Sequence, residues 1–150
     1  MPEAVQGASR SVFFQAEDVL RQGPAQAVEA GHQWAGGKLQ VWKPAQPGDE
    51  LTLEFPVETA GKYFLAVVAR QDRAAGKVSF RLNDQPLVLH RQRDGVNLHE
   101  PHRILSRALG SEDLELALGT QRLTVRYERP AAGQTNPEIG LDFLWLRKRP

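Results

Sequence analysis

Short apolar runs with period-two alternation dominate the chain. Residues 51–57 alternate apolar and polar side chains, as in a strand with one face on a core and one in solvent. Residues 62–69 are nearly apolar throughout, which predicts a central strand buried on both faces. Gly, Pro, Asn and Asp separate such runs at intervals of roughly 8–12 residues, a spacing typical of a β-sandwich or barrel.

The remaining runs complete an all-β pattern. Asn83-Asp84 supplies a turn that tolerates left-handed geometry, whereas residues 91–107 are polar and irregular. The helix-like stretches 26–33 and 104–109 are too short to build layers. We therefore predict an all-β domain of about 8–10 strands. Besides 51–57 and 62–69, the predicted strands are 13–20, 38–42, 77–82, 86–90, 114–118, 121–127 and 139–146.

Composition limits the class of protein. A chain of 150 residues forms one domain with a core of its own. Lys plus Arg number 19 and Asp plus Glu 18, and this near-neutrality argues against a nucleic-acid binder. Without cysteine, disulfides, thiolate zinc sites and cysteine nucleophiles are excluded.

Targeting signals are equally sparse. No apolar run is long enough to span a membrane, and residues 1–12 lack the apolar core of a signal peptide. We expect residues 1–11 to be a polar lead-in and residues 12–150 a single β-sandwich module. The expected context is a larger exported protein, extracellular or periplasmic.

The two ends of the chain have matching strand composition. If residues 13–20 form a half-buried strand, Gln15 and Glu17 point to the same face. If this strand meets the last one, Asp142 joins them as a third hard oxygen ligand. Three such oxygens with backbone carbonyls make a calcium site. The alternative is two solvent-facing acids and an amide on ordinary strands.

An ordered set of landmarks extends over nearly the whole chain and resembles the calcium-dependent carbohydrate-binding modules of families 6 and 35. These modules are appended to glycoside hydrolases, and the resemblance implies a galactose-binding-like jelly-roll β-sandwich of two antiparallel sheets. It also implies structural calcium (Ca2+) at Gln15, Glu17 and Asp142, with carbonyls near Gly36 and Gly37. The landmarks are Gln15-Ala16-Glu17, Gly36-Gly37 leading to Trp42, Pro47-Gly48-Asp49, Ala60 to Tyr63, Leu118-Gly119 to Tyr127 and Leu141-Asp142-Phe143.

The same resemblance implies a sugar site in loops at one end of the sandwich. Its counterparts here are Trp34 or Trp42 as the stacking aromatic and Asn136 as the orienting amide. Each has an ordinary alternative, since Trp34 suits a half-buried loop anchor, Trp42 suits a core strand and Asn136-Pro137 suits a turn. Residues 129–137 contain no aromatic, so a two-sided clamp is not expected. Nearby polar candidates are Lys43, Gln134 and Glu138.

A cluster of histidines and arginines occupies residues 90–103. The simplest interpretation is a solvated loop, because a proline interrupts the stretch and no helix enforces ligand spacing. A transition-metal site or acid–base chemistry is a weaker alternative. The arginines also suit an anionic glycan such as a uronate polymer, because guanidinium pairs with carboxylate through two hydrogen bonds.

Catalytic motifs are missing from the sequence, which has no Gly-x-Ser-x-Gly elbow, phosphate-binding glycine loop or His-Glu-x-x-His helix. The leading hypothesis is therefore a non-catalytic carbohydrate-binding module that targets an appended catalytic domain to a polysaccharide. A structural or oligomerisation domain of a carbohydrate-active enzyme, with no sugar binding of its own, is the second. A small hydrolase that uses His99 and His102 is the third and weakest.

Overall fold

The computed structural model describes residues 10–22, 26–30, 38–130 and 136–150. They form strands and one four-residue helix, α1 (Ala16–Val19). The strands are β1 (Arg10–Gln15), β2 (Leu20–Gln22), β3 (Gln26–Ala30), β4 (Lys38–Trp42), β5 (Glu50–Val57), β6 (Gly61–Gln71), β7 (Lys77–Leu82), β8 (Gln85–Leu87), β9 (Val96–Asn97), β10 (Leu105–Gly110), β11 (Leu114–Leu116), β12 (Gly119–Arg129) and β13 (Ile139–Lys148).

These strands build two sheets. The seven-stranded sheet has the order β10-β6-β13-β4-β3, with β1 beside β13 and β11 beside β6. The six-stranded sheet has the order β2-β5-β12-β7-β8, with β9 beside β7. Neighbouring strands are antiparallel in both sheets. The predicted sandwich of two antiparallel sheets is confirmed.

The first and last strands meet in the seven-stranded sheet, which is the condition that the calcium hypothesis required. β1 pairs with β13 so that Phe13 lies opposite Trp145 and Gln15 opposite Phe143. On its other side β13 pairs with β6, and its first residues pair with β4. β6 lies between β13 and β10, which confirms the prediction that residues 62–69 form a central strand.

The core lies between the sheets and follows the alternation seen in the sequence. In β5, Leu51, Leu53 and Phe55 are buried while the residues between them are not. Phe14 of β1 reaches across to Phe55, with ring centroids 5.6 Å apart. Burying each such side chain contributes about 1.5–3 kcal/mol, so this inner layer supplies the main driving force for folding.

Two segments predicted to be helix-like are strands, so both predictions were wrong. Residues 26–30 form β3, which pairs with β4 at one edge of the seven-stranded sheet. Residues 105–110 form β10, which pairs with β6 at the other edge. An edge strand need not alternate, and in β10 only Leu109 is fully buried while residues 106–108 are exposed. β9 also lies within the stretch expected to be irregular.

Local boundaries differ from the sequence prediction at the start of the chain. β1 ends at Gln15 and the backbone turns into α1, so residues 13–20 are not one strand. β1 begins at Arg10, inside the expected lead-in of residues 1–11. The predicted turn is confirmed, with φ of 51° at Asn83 and 68° at Asp84. No helix in the described ranges is long and apolar enough to cross a membrane.

Candidate functional site

One end of the sandwich gathers several of the predicted site residues. Trp42, the last residue of β4, pairs with Ile139, the first of β13, so Lys43 and Glu138 lie one position beyond this pair. The backbone N–H of Glu138 donates to the carbonyl of Ala74 at 3.0 Å. We call this region the β4–β13 end, comprising Lys43 and residues 72–75, 97–103 and 136–138.

A buried arginine organises the β4–β13 end. Arg70 is near the end of β6, and its side chain is only 6% exposed. Its Nε lies 2.8 Å from Oδ2 of Asp72, and its Nη2 donates to Oε1 of Glu138 at 3.4 Å. Oδ1 of Asp72 accepts from the N–H groups of Ala74 and Ala75, each at 3.0 Å. Asp72 therefore fixes the turn and Arg70 holds Glu138 beside it.

The segment after β9 lies against the same turn. The N–H of Glu100 donates to the carbonyl of Asp72 at 2.9 Å, and Nδ1 of His99 lies 3.2 Å from the carbonyl oxygen of Arg73. Between the two segments is an open cleft of about 310 Å³, and none of its described lining residues is a Phe, Tyr or Trp. The cleft is lined by Asp72, Arg73, Ala74, Glu100, Pro101, His102, Arg103 and Ile104.

The carboxylate of Glu100 closes the turn beside this cleft. Its Oε2 accepts from the N–H of His102 at 2.5 Å and from the N–H of Arg103 at 3.0 Å. The pKa of Glu100 is lowered, chiefly because the backbone N–H of His102 donates to the carboxylate, with the N–H of Arg103 and nearby positive charge adding to the effect. Glu100 is therefore a structural element of this turn.

The predicted sugar-binding residues fall into three groups. Lys43, Asn136 and Glu138 lie at the β4–β13 end, where Lys43 and Asn136 are exposed and Glu138 is half-buried. Trp42 is fully buried, so its ring belongs to the core and is not available as an exposed platform. Trp34 lies outside the described residues, as do Gln134 and the Gly36-Gly37 carbonyls.

The histidines of residues 90–103 do not converge. Nε2 of His90 lies 2.6 Å from Nη2 of Arg107, whereas His99 contacts the Arg73 carbonyl. His102 is exposed, and its described contact is made through its backbone. In the described part of the chain, no group of three His, Cys, Asp or Glu side chains is placed to hold a metal. This arrangement supports the solvated-loop interpretation.

The proposed calcium ligands lie together in the fold, although not for the reason the sequence suggested. Glu17 is in α1, so the strand alternation invoked for Gln15 and Glu17 does not apply. α1 instead packs against β13 and β4. The β13–β6 register shifts between Leu141 and Phe143, which makes Asp142 the extra residue of a bulge. A bulge re-aims a side chain, and Asp142 is buried.

Two oxygens near Asp142 have no hydrogen-bond partner. Oε1 of Gln15 and Oε1 of Glu17 are both buried and unpaired. Buried polar atoms are nearly always satisfied, so each of these oxygens has room for a partner such as a water or an ion. Asp142 is buried and lies one position from Phe143, which pairs with Gln15. The amide oxygen of Gln15 and the carboxylates of Glu17 and Asp142 are the hard oxygen ligands that calcium prefers. These residues fit the metal that the resemblance implied.

Comparison with known proteins relates the chain to others by structure. No protein-family model matches it, and no curated protein matches it. A Paenibacillus xanthan lyase superposes over 88% of this chain with a TM-score of 0.76 and 12% identity, but the match covers 12% of the lyase. A family 35 carbohydrate-binding module from Clostridium thermocellum matches 90% of this chain and 97% of its own, with a TM-score of 0.57 and 16% identity.

A third match is the CBM36-1 domain of a multidomain xylanase from the hindgut metagenome of Trinervitermes trinervoides. It covers 91% of this chain and 96% of its own, with a TM-score of 0.54 and 9% identity. At such identities the likeness concerns the fold. The chain has the β-sandwich fold of these two modules, as the resemblance in sequence implied, and each match covers nearly the full length of the module.

We predict that Asp72→Ala lowers the free energy of unfolding by about 3–5 kcal/mol, because it leaves the buried guanidinium of Arg70 short of a partner. Chemical denaturation measures the change. The matched control is Asp113→Ala, which breaks the more exposed pair with Arg149 and should cost at most about 1 kcal/mol. Equal effects of the two substitutions would contradict the role given to Asp72.

Glu100 gives a pH-dependent prediction. Because its folded-state pKa is lowered, its stabilisation of the turn is complete above the unfolded pKa and is lost as the pH falls through the folded pKa. The amide proton shifts of His102 and Arg103, followed by NMR in acid, should titrate with a midpoint below 4.5, the ordinary pKa of this carboxyl. Glu100→Gln should abolish the transition. A midpoint at or above the ordinary value would refute this prediction.

Proposed function

We propose that this protein is a non-catalytic carbohydrate-binding module that holds an appended enzyme on a polysaccharide. The observation that carries the proposal is the convergence of Lys43, Asn136 and Glu138 at one end of a sandwich with the fold of such modules. Glu138 is held there by the buried Arg70, which gives a polar group of fixed direction. Sites of this kind recognise ligands with a few well-placed polar groups, as sugar hydroxyls require.

Sugar binding also needs an aromatic face, and we assign this role to Trp34. The chain has three tryptophans. Trp42 is in the core, and Trp145 is on β13, away from the β4–β13 end. Trp34 is the tryptophan left for stacking. The arginines of residues 90–103 border the same end, and we assign them a preference for glycans that carry carboxylates. The natural setting proposed is an exported enzyme, extracellular or periplasmic.

A second candidate is a structural or oligomerisation domain of a larger carbohydrate-active enzyme. It is favoured by the cleft between residues 72–74 and 100–104, because no described residue lining that cleft is a Phe, Tyr or Trp. The match to a small share of a much longer xanthan lyase also suits a domain whose role is architectural. Under this candidate no polysaccharide is bound.

We further propose that structural calcium binds Gln15, Glu17 and Asp142. The support is the pair of unpartnered buried oxygens and the donor chemistry of the three side chains. When bound, the ion supplies positive charge that neutralises the two carboxylates. The three ligands come from different elements of the fold: Gln15 ends β1, Glu17 lies in α1 and Asp142 lies in β13. A shared ligand would tie the first elements of the chain to the last strand.

The sugar site is tested on an array of neutral and acidic polysaccharides, followed by calorimetry on the best ligand. Trp34→Ala should weaken binding by about tenfold or more, since loss of a stacked ring removes on the order of 1.5 kcal/mol or more. Glu138→Gln should weaken it less, because the amide keeps one acceptor. Leu118→Ala, a change to an exposed apolar side chain between β11 and β12, is the control and should bind normally. If no polysaccharide on the array binds, and light scattering shows a dimer in the absence of saccharide, the second candidate is favoured.

The calcium proposal is tested by thermal unfolding. Excess calcium should stabilise the protein against unfolding by about 2.7 kcal/mol when its concentration is a hundred times Kd, and a chelator should reverse this. Glu17→Gln should remove the response, whereas Glu115→Gln, at an exposed position of β11, should keep it. Identical melting with calcium and with chelator would exclude a structural ion in this fold.

A further inference from the structure

The outer face of the seven-stranded sheet carries a continuous aromatic surface. Phe13 of β1, Phe64 of β6, and Phe143 and Trp145 of β13 all point away from the core, because their neighbours Phe14, Leu65, Leu144 and Leu146 point into it. Phe13 lies directly opposite Trp145, and Trp145 lies opposite Ala66 of β6. We call these four rings the aromatic face.

The rings of the aromatic face contact one another across three strands. Phe13 stacks on Trp145 with centroids 6.1 Å apart and 15° between the planes, and Phe64 meets Trp145 edge-on at 5.3 Å. The indole Nε1 of Trp145 donates to Oγ of Ser11 at 3.0 Å, which fixes the orientation of the ring. Phe13 is 56% exposed, an unusual position for a large apolar side chain.

Small residues occupy the outward positions beside the rings of the aromatic face. Ala66 and Ala108 occupy outward positions of β6 and β10, and Gly110 follows two residues after Ala108. A Cβ at Gly110 would lie 2.8 Å from the ring of Phe64, so this ring lies down over β10. These small residues leave the rings accessible to a ligand that lies across the strands.

Cationic groups border the rings, and one of them, Arg147, has no ion-pair partner among the described residues. The guanidinium of Arg147 lies 5.2 Å from the centre of Phe64 and 5.4 Å from that of Trp145. Its Nε is buried without a hydrogen-bond partner, and it forms no ion pair within residues 10–22, 26–30, 38–130 and 136–150. Arg149 lies 5.7 Å from Phe64 and is paired with Asp113. Glu115 of β11 lies opposite Lys62, but the outward positions of the three strands that carry the rings have no carboxylate. In β1, β6 and β13 these positions are Ser11, Phe13, Gln15, Lys62, Phe64, Ala66, Val68, Arg70, Phe143, Trp145 and Arg147.

We propose that the aromatic face is a second binding surface, selective for an acidic polysaccharide. Sugar rings stack on Phe13 and Trp145, and carboxylates of the polymer pair with the guanidinium of Arg147. Stacking exploits the apolar face of a pyranose, and guanidinium binds a carboxylate through two parallel hydrogen bonds. This surface lies on β1, β6 and β13 and is separate from the β4–β13 end, so it goes beyond the function proposed above.

Charge favours this occupant over a neighbouring protein domain. A large exposed apolar patch marks a binding surface, but the patch here combines rings with an unpaired cation. An apolar domain surface laid over Arg147 would bury its charge without a partner, which is strongly unfavourable. A uronate polymer brings sugar rings that stack on the aromatic face and a carboxylate for Arg147.

The test uses gel mobility in polygalacturonate and in the same polymer after reduction of its carboxyl groups. The wild-type protein should be retarded by the acidic polymer and at least about tenfold less by the reduced one. Phe13→Ala and Arg147→Gln should each weaken retardation about tenfold. Matched controls are Leu118→Ala, at an exposed apolar residue outside this face, and Arg122→Gln, on the six-stranded sheet; both should behave as wild type.

Several outcomes would overturn the proposal. Normal retardation of both Phe13→Ala and Arg147→Gln would place the acidic polymer elsewhere, and equal retardation by polyglutamate would reduce the effect to general charge attraction. If the wild-type protein is a dimer and Phe13→Ala is a monomer, the aromatic face is a protein contact. The melting temperature of each variant shows whether it is folded. If Phe13→Ala is unstable, the retardation of Arg147→Gln decides the result. Binding through Trp34 is measured separately with Trp34→Ala, so failure at one surface does not affect the result at the other.

Discussion

The insertion of β13 between β6 on one side and β1 with β4 on the other is the interaction on which the rest of the structure depends. This strand satisfies its backbone hydrogen bonds on both edges, and its alternate side chains face the core and the outside of the sheet. Because β1 and β13 come from opposite ends of the chain, their pairing closes a loop that contains all the other described strands. Long-range pairing of this kind is slow to form, because loop closure costs entropy before contacts reward it.

Each candidate site is a consequence of where β13 begins, bulges and ends. Its first residue pairs with Trp42, which brings Glu138 beside Lys43. Its bulge leaves Asp142 out of the regular ladder, next to Gln15 and α1. The last residues of β13 place Trp145 and Arg147 on the outer face of the sheet. The three regions are therefore linked by one rigid element, and a change in its register would move all of them.

The sequence predicted the parts of the fold that periodicity determines. β5, β6, β7 and β13 were visible because burial on one or both faces dictates their pattern. β3 and β10 were missed because an edge strand is specified by its partner and not by its own alternation. Trp42 illustrates a limit of composition, since a tryptophan near a loop suits either a platform or a core and only packing decides between them. Glu17 shows a limit of strand alternation, because β1 ends at Gln15 and the next four residues form α1.

The candidate site was predictable to a smaller extent. Lys43, Asn136 and Glu138 came from a resemblance, but the arginine that holds Glu138 lies 68 residues earlier in the chain, and no local pattern connects the two. Charge was informative only as a total. A net charge of +1 argues against a nucleic-acid binder, yet it does not reveal that the outward positions of β1, β6 and β13 have cations and no acids. Balanced composition is thus compatible with a local group of cations, because the sheet sorts side chains by position, and electrostatic recognition depends on that local arrangement rather than on the sum.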